Sequence, residues 1–280
     1  MFIHREEGGI IRNRTMDTAS LDSEVHVISV CGPVREENQD AGVAWRDKEA
    51  LGIIVADGMG GHQGGREAAE IVIRICLDAL RTRTFESWEE KFREAIAAAQ
   101  EAVLEAAGHS AENGRSLMGA TVALAVVDEL GGNPRLHIAH VGDSRVYLFR
   151  GRSLYRLTSD HSAVAQMVRD GWLSEEEAFG HPDSNIVQRA IGQKGPLEAE
   201  VQEPLALDPE DVVMLCSDGL HGAVPDPVIG DLLALSGSAE EACQRLLAQA
   251  LEANSQDNIT IGCAKVVAER TSRRPTRVLL

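Results

Sequence analysis

Hydrophobic residues along this 280-residue chain follow two different spacings. Short runs rich in Val, Ile and Ala predict buried strands, whereas an apolar residue every three to four positions predicts a helix with one apolar face. The predicted strands cover residues 25–30, 41–45, 51–56, 121–127, 136–141, 146–149, 153–157, 186–191, 197–207, 212–216 and 259–264. The predicted long helices cover residues 65–80, 88–107, 227–235 and 239–253.

The order of these elements predicts the fold class. Consecutive strands are joined by short polar or Gly-containing turns, as at 131–134 and 150–152, which favours antiparallel pairing. Strands and helices do not alternate one for one, which argues against a parallel doubly wound sheet. We therefore expect an α+β domain of antiparallel sheets with helices outside.

Three segments depart from this pattern. Residues 158–185 contain two short helical stretches between strand patterns, which predicts a small helical flap. Residues 1–22 mix charged and small polar residues without a period, so we expect a flexible N-terminal arm before a domain at 23–267. Residues 268–280 are expected to form a basic C-terminal tail.

Composition restricts the location and the partners. The formal charge of −17 argues against nucleic-acid binding and against attraction to an anionic membrane. The five cysteines form no C-x-x-C pair and lie mostly in apolar runs, which is typical of a reducing compartment. No membrane-spanning run and no secretory h-region is present. We expect a cytoplasmic monomer.

The most distinctive local stretch is 55–65, where an apolar run ends on Asp57 and five glycines fall within the next eight residues. Glycine lets the backbone approach a ligand closely. Neither G-x-x-x-x-G-K-[ST] nor G-x-G-x-x-G is present, so a nucleotide-binding loop is not predicted.

Carboxylates at the ends of apolar strands are the candidate chemical groups. They are Asp40, Asp57, Asp143, Asp218 and Asp257. A buried carboxylate is costly unless it is paired or bound to a metal, and a cluster of oxygen ligands favours Mg²⁺ or Mn²⁺ over Zn²⁺. A single such Asp is more often a turn residue, and the sequence alone does not bring the five together.

Five motifs occur in a characteristic order. They are Asn38-Gln39-Asp40, Asp57-Gly58-Met59-Gly60-Gly61-His62, Gly142-Asp143-Ser144-Arg145, Ser217-Asp218-Gly219-Leu220 and Asp257-Asn258-Ile259-Thr260. Together they resemble the metal-dependent serine/threonine protein phosphatases of type 2C in their bacterial form, over about residues 25–266. The resemblance implies a four-layer α-β-β-α sandwich, in which helix pairs flank two antiparallel sheets.

The resemblance also implies a site with two Mn²⁺ or Mg²⁺ ions at one edge of the sandwich. The implied ligands are Asp40, Asp57, the Gly58 carbonyl, Asp218 and Asp257, with Asp57 shared between the ions. Arg35 would bind the phosphate, and its planar fork suits a phosphate group. The alternative role for Arg35 is a surface ion pair with Glu36 or Glu37.

The implied activity is hydrolysis of phosphoserine and phosphothreonine in phosphorylated proteins. A metal-activated water would attack phosphorus without a covalent intermediate, and the enzyme would reverse a bacterial Ser/Thr kinase. Two alternatives stay open: a non-catalytic phosphoprotein-binding module on the same fold, and a phosphatase of small metabolites.

Three positions depart from the family pattern. Met59 stands where many members have a His that acts as a general acid, so His62 becomes a candidate acid, although a structural role for it is the alternative. Asp143 matches a ligand of a weaker third metal, whereas Gly222 stands where a second ligand of that ion is often found. Ala120 replaces a more usual Thr.

Overall fold

The computed structural model describes residues 23–47, 50–60, 63–82, 85–110, 118–128 and 134–267. The strands are β1 Ser23–Val30, β2 Asp40–Arg46, β3 Ala50–Met59, β4 Gly119–Ala120, β5 Val122–Asp128, β6 Arg135–Val141, β7 Arg145–Arg150, β8 Ser153–Arg156, β9 Glu200–Val201, β10 Leu205–Ala206, β11 Val212–Cys216 and β12 Ile259–Val266. The helices are α1 Gln63–Thr82, α2 Trp88–Ser110, α3 Ala163–Arg169, α4 Glu175–Ala178, α5 Asp218–His221, α6 Asp226–Ala234 and α7 Ala239–Glu252.

The strands form two antiparallel sheets. One has the order β1-β12-β11-β7-β8. The other has the order β10-β6-β5-β3-β2, with β4 beside β3 and β9 beside β6. The connection from β6 to β7 passes from one sheet to the other, so the turn at 142–144 lies where the sheets meet.

Alternating residues of the central strands supply three apolar layers. In β3, Ile53 and Val55 face the opposite sheet, while Ile54 and Ala56 pack with the α1–α2 pair. In β11, Val213 and Leu215 likewise face the other sheet, and the intervening residues pack against α6 and α7. This explains why these strands are apolar at every position, since both of their faces are buried.

The predicted four-layer α-β-β-α architecture is therefore confirmed, with α1 and α2 on one side and α6 and α7 on the other. The flap segment, residues 158–185, contains α3 and α4. Ser174 and Glu177 form a capping box at the start of α4.

Two strand predictions are wrong. Residues 186–191 form isolated bridges through Val187 and Ile191 and no continuous strand. Their exposure changes from 49% at Ile186 to 0% at Ile191, because the segment crosses from the flap to β4 without following a sheet. The predicted strand at 197–207 reduces to β9 and β10, which are separated by Pro204, a residue with no N–H to pair.

The predicted arm at 1–22 and tail at 268–280 lie outside the described residues. In the part of the chain that the structure describes, no helix combines the length and apolarity needed to cross a bilayer.

Replacing Ile53 tests the layer between the sheets. Ile53 is 1% exposed, so Ile53→Ala should lower the free energy of unfolding by about 2–5 kcal/mol through lost burial and a cavity. Leu235→Ala, at a side chain that is 66% exposed, is the control and should change it by less than about 0.5 kcal/mol. Urea unfolding measures both, and equal effects would contradict the layer assignment.

Candidate metal centre

Two of the candidate carboxylates come from neighbouring strands of the seven-stranded sheet. Asp40 begins β2 and lies directly opposite Asp57 in the antiparallel register with β3. The Gly58 amide donates to the Gln39 carbonyl at 3.2 Å, which holds the two strand ends together. The strand β3 continues to Met59, so Asp57 and Gly58 lie within a strand and not in a loop.

Two others come from the five-stranded sheet. Asp218 follows β11 and is the first residue of the one-turn helix α5, which the sequence did not predict. Asp257 lies two residues before β12. Because β11 and β12 are antiparallel neighbours with Cys216 opposite Ile261, the end of one strand meets the start of the other.

Hydrogen bonds across the sandwich bring these two pairs together. The Ser217 hydroxyl donates to Asp40 Oδ2 at 2.6 Å and accepts the Thr260 amide at 3.0 Å. The Gln39 amide donates to Asn258 Oδ1 at 2.8 Å. Thr260 lies in β12, Ser217 directly follows β11 and Asn258 directly precedes β12, so the position of Asp40 is fixed from both sheets.

Asp57 is held by its backbone as well. Its amide donates to Thr121 Oγ1 at 3.1 Å, and its carbonyl accepts the Thr121 amide at 2.8 Å. The Thr121 hydroxyl is 2.7 Å from that of Ser144 in the turn between β6 and β7. A Cβ on Gly58 would lie 2.0 Å from the Gly65 carbonyl oxygen, so only glycine allows β3 to pass this close to α1.

The fifth carboxylate, Asp143, occupies the turn between the sheets and is 3% exposed. Gly142 has a φ of +104°, a left-handed conformation that favours glycine. The buried His221 side chain donates from Nε2 to the Asp143 carbonyl at 3.0 Å. The backbone of this turn is thus anchored, while the carboxylate remains available.

Burial and mutual repulsion raise the pKa values of Asp40, Asp57, Asp143 and Asp218. Burial is the larger cause throughout, followed mainly by neighbouring carboxylates. The pKa of Asp40 is raised to about 7 and that of Asp218 to about 6, and the pKa values of Asp57 and Asp143 are raised well above their usual range. A hydrogen bond with Asp57 partly offsets the shift at Asp218.

The residues present fit hard divalent cations. Among the described side chains, the buried Oδ1 atoms of Asp143 and Asp218 have no hydrogen-bond partner. Unpartnered carboxylate oxygens in a cluster with raised pKa values are the donor set that Mg²⁺ and Mn²⁺ prefer. A bound cation would satisfy these atoms and relieve the repulsion.

Arg35 lies at the rim of this cluster. Its Nη2 donates to Asp257 Oδ2 at 2.6 Å, and its side chain remains 51% exposed. Arg35 is thus paired with Asp257, and Glu37, one of its two alternative partners, pairs with Arg66 at 3.0 Å. The exposed part of the guanidinium faces outward beside the carboxylates, where an anionic ligand can reach it.

The structure thus gathers Arg35 and all five candidate carboxylates at one edge of the sandwich. His62 lies outside the described residues, and Met59 is half-buried at the end of β3. Sequence reasoning missed Ser217, Thr121 and Asn258 as residues that position the cluster. Their polar side chains beside the motif aspartates were the available signal.

A histidine cluster near the flap was also missed. The ligand atoms of His140, His161 and Glu200 lie within 4.8 Å of one another. The Gly142 amide donates to His161 Nδ1 at 3.1 Å, and burial lowers the pKa of His161, so the neutral ring carries its proton on Nε2, which is 3.2 Å from Glu200 Oε2. With no free lone pair on His161, this cluster is suited to hold the Gly142 turn and not to bind a cation.

Comparisons with known proteins agree with this geometry. Residues 34–260 match the family model described as protein phosphatase 2C. The chain is 35% identical to the serine/threonine phosphatase stp of Listeria welshimeri over 238 residues, which is 82% of this chain and 90% of that protein. It is 30% identical to the protein phosphatase PhpP of Streptococcus pneumoniae, over 88% of this chain and 98% of that one.

Solved structures share the fold. The serine/threonine phosphatase Stp1 of Staphylococcus aureus aligns with a TM-score of 0.79 at 30% identity, over 92% of this chain and 100% of that chain. The catalytic domain of the serine/threonine protein phosphatase PstP, solved in complex with two manganese ions, aligns with a TM-score of 0.73 at 28% identity, over 88% of this chain and 99% of that chain.

The sandwich and its acidic edge define a metal-dependent phosphatase. The chain belongs to the protein phosphatase 2C family, and the resemblance stated from its motifs is confirmed. Its relatives include bacterial serine/threonine phosphatases.

Changing the pH tests the repulsion within the cluster. Asp40 and Asp218 have pKa values of about 7 and about 6 in the folded chain against 3.8 as reference. The metal-free folded state therefore binds more protons than the unfolded state, and the stability from these groups, fully present below about pH 4, is lost as the pH rises to about 7.

With chelator present, the Tm of the wild-type protein should fall by at least about 2 °C more than that of Asp40→Asn between about pH 5 and about pH 7.5. Mn²⁺ at the higher pH should raise the wild-type Tm more than that of the variant. Differential scanning fluorimetry measures both effects, and parallel curves with no Mn²⁺ response would contradict the electrostatic account.

Proposed function

We propose that this protein hydrolyses phosphoserine and phosphothreonine in phosphorylated proteins with the help of two Mn²⁺ or Mg²⁺ ions. The observation that carries the proposal is the cluster of buried and half-buried carboxylates, of which four have raised pKa values and two have unpartnered oxygens. Membership in the protein phosphatase 2C family supports the substrate class, and the two manganese ions bound to PstP support the cofactor.

In this proposal the ligands are Asp40, Asp57, the Gly58 carbonyl, Asp218 and Asp257. Asp57 would be shared between the ions, because it lies close enough to interact with carboxylates beside both sheets. When bound, the ions would bind phosphate oxygens and lower the pKa of a water molecule that attacks phosphorus without a covalent intermediate. Ser217 and Thr121 would keep the carboxylates in place through the bonds described above.

Arg35 would bind the phosphate group of the substrate. Its bond to Asp257 orients the guanidinium, and the exposed N–H groups are left to donate to phosphate oxygens. Asp143 would be a ligand of a third ion. That ion would be bound more weakly, because Gly222 has no side-chain oxygen to act as its second ligand. His62 is the candidate proton donor, since the thioether of Met59 carries no proton.

We further propose that the protein is a cytoplasmic monomer and that residues 23–267 form its phosphatase domain. It would remove phosphate groups that a bacterial Ser/Thr kinase has added. The family relatives support the kinase partner, because a protein phosphatase requires an enzyme that phosphorylates its substrates. Residues 1–22 would serve as an arm and residues 268–280 as a basic tail.

Replacing Asp57 tests the metal-dependent reaction. Asp57→Asn should lower kcat for a phosphothreonine peptide with Mn²⁺ by at least about a hundredfold, because the proposed shared ligand loses its charge. Asp231→Asn, at an exposed position of α6, is the matched control and should keep wild-type activity. Full activity of Asp57→Asn would exclude this mechanism. If the unsubstituted protein bound the phosphopeptide but did not hydrolyse it, the non-catalytic alternative would be favoured.

Replacing Arg35 tests the proposed phosphate contact. Arg35→Ala should raise KM for the phosphopeptide about tenfold, because a charge-assisted hydrogen bond to phosphate is lost. Arg74→Ala, at an exposed position of α1, removes the same charge elsewhere and should leave KM unchanged. Steady-state kinetics on both variants checks this, and an unchanged KM in Arg35→Ala would exclude the contact.

A further inference from the structure

A cavity of about 570 Å³ lies between the flap and the chain segment that contains α5 and the start of α6. Asp143 and Asp218 line one end of it, so the cavity is continuous with the acidic cluster. Residues of α3 and α4 line the other side. A molecule with a phosphate at the acidic cluster therefore has this cavity as an immediate neighbour.

Part of the cavity wall is apolar, although charged residues also line the cavity. Val164, Val168 and Phe179 contribute from the flap, and Pro225 and Pro227 contribute from the start of α6. Phe179 is 46% exposed although it is a large aromatic side chain. Its exposed surface would be removed from water by an apolar group in the cavity, which is favourable.

The charged groups of the lining mostly neutralise one another. Arg145 pairs with Asp160 at 2.7 Å, and Arg156 pairs with Glu175 at 2.6 Å. The other charged residues of the lining, apart from the acidic cluster, are Arg169, Glu176 and Asp226. Arg145 and Arg156 thus already have carboxylate partners, which leaves the apolar part of the wall to contact an uncharged group.

We propose that this cavity binds an apolar side chain of the phosphoprotein substrate, within a few residues of the phosphorylated one. This inference rests on the proposed function, since it places the phosphorylated residue at the acidic cluster. An extended peptide advances about 3.3 Å per residue, so only residues close to the phosphorylated one can enter a cavity that borders the cluster. The substrate class is thereby narrowed to phosphorylation sites with an apolar neighbour.

Trp172 provides a matched control for Phe179. It is also an aromatic residue of the flap and is more exposed, at 74%, but it does not line the cavity. If exposed aromatic surface on the flap were enough for substrate binding, both residues would contribute. If the cavity is the binding site, only Phe179 does.

The test uses a set of phosphothreonine peptides in a Gly-Ser background, in which one leucine is moved from three residues before to three residues after the phosphothreonine. With Mn²⁺, the wild-type protein should show about a tenfold higher kcat/KM for leucine at one or two positions than for the peptide without leucine. Phe179→Ala should lose this preference, and Trp172→Ala should keep it. All variants should hydrolyse the leucine-free peptide at the wild-type rate.

A second variant, Val168→Ser, changes the same wall from α3 and should also reduce the preference, with Tm measurements confirming that each variant is folded. The proposal is overturned if the wild-type protein shows no positional preference, if Phe179→Ala keeps it, or if Trp172→Ala loses it equally. If the wild-type protein hydrolyses no peptide, the proposed function fails. In that case, fluorescence anisotropy with labelled versions of these peptides tests the cavity. The wild-type protein and Trp172→Ala should bind the best leucine peptide more tightly than the leucine-free one, and Phe179→Ala should not.

Discussion

Repulsion between buried and half-buried carboxylates is the constraint on which this structure depends. Five aspartates from three parts of the sandwich meet at one edge, and burial together with their mutual proximity raises most of their pKa values. A flexible chain would move such groups apart. Here the antiparallel register sets Asp40 opposite Asp57. The hydrogen bonds of Ser217 with Asp40 and of Thr121 with Asp57 keep both residues in place. The rigid core is thus what keeps an unfavourable cluster ready for cations.

Much of the fold could be predicted because its central strands are buried on both faces and contain little except Val, Ile, Leu and Ala. Continuous apolar runs such as 51–56 and 212–216 are therefore visible without further information. The pattern fails at 186–191, where apolar residues serve different neighbours one at a time, and at α5, whose single turn is too short to show a period. The conformation of both segments is set by tertiary contacts, which a local sequence pattern does not reveal.

The candidate site was only partly predictable for a related reason. Each aspartate could be recognised at a strand end, but their proximity depends on which strands are neighbours, and the residues alone leave that open. The motif resemblance supplied the missing grouping. The hydroxyl and amide groups that hold the cluster are ordinary Ser, Thr and Asn residues, and only the bonds between the two sheets reveal their role.

The pairing of β1 with β12 means that the five-stranded sheet is complete only when almost the whole domain has been synthesised. Ser23 lies opposite Val266 and Val30 opposite Ile259, so β1 pairs with a strand that is synthesised more than 200 residues later. Asp257 lies two residues before that partner. While β12 is still inside the ribosome, the helices α1 and α2 and the larger sheet have been synthesised, yet the acidic cluster is incomplete. Under the proposed ligand set, a chain that ends before Asp257 and β12 would lack that ligand and would therefore hold an incomplete metal centre.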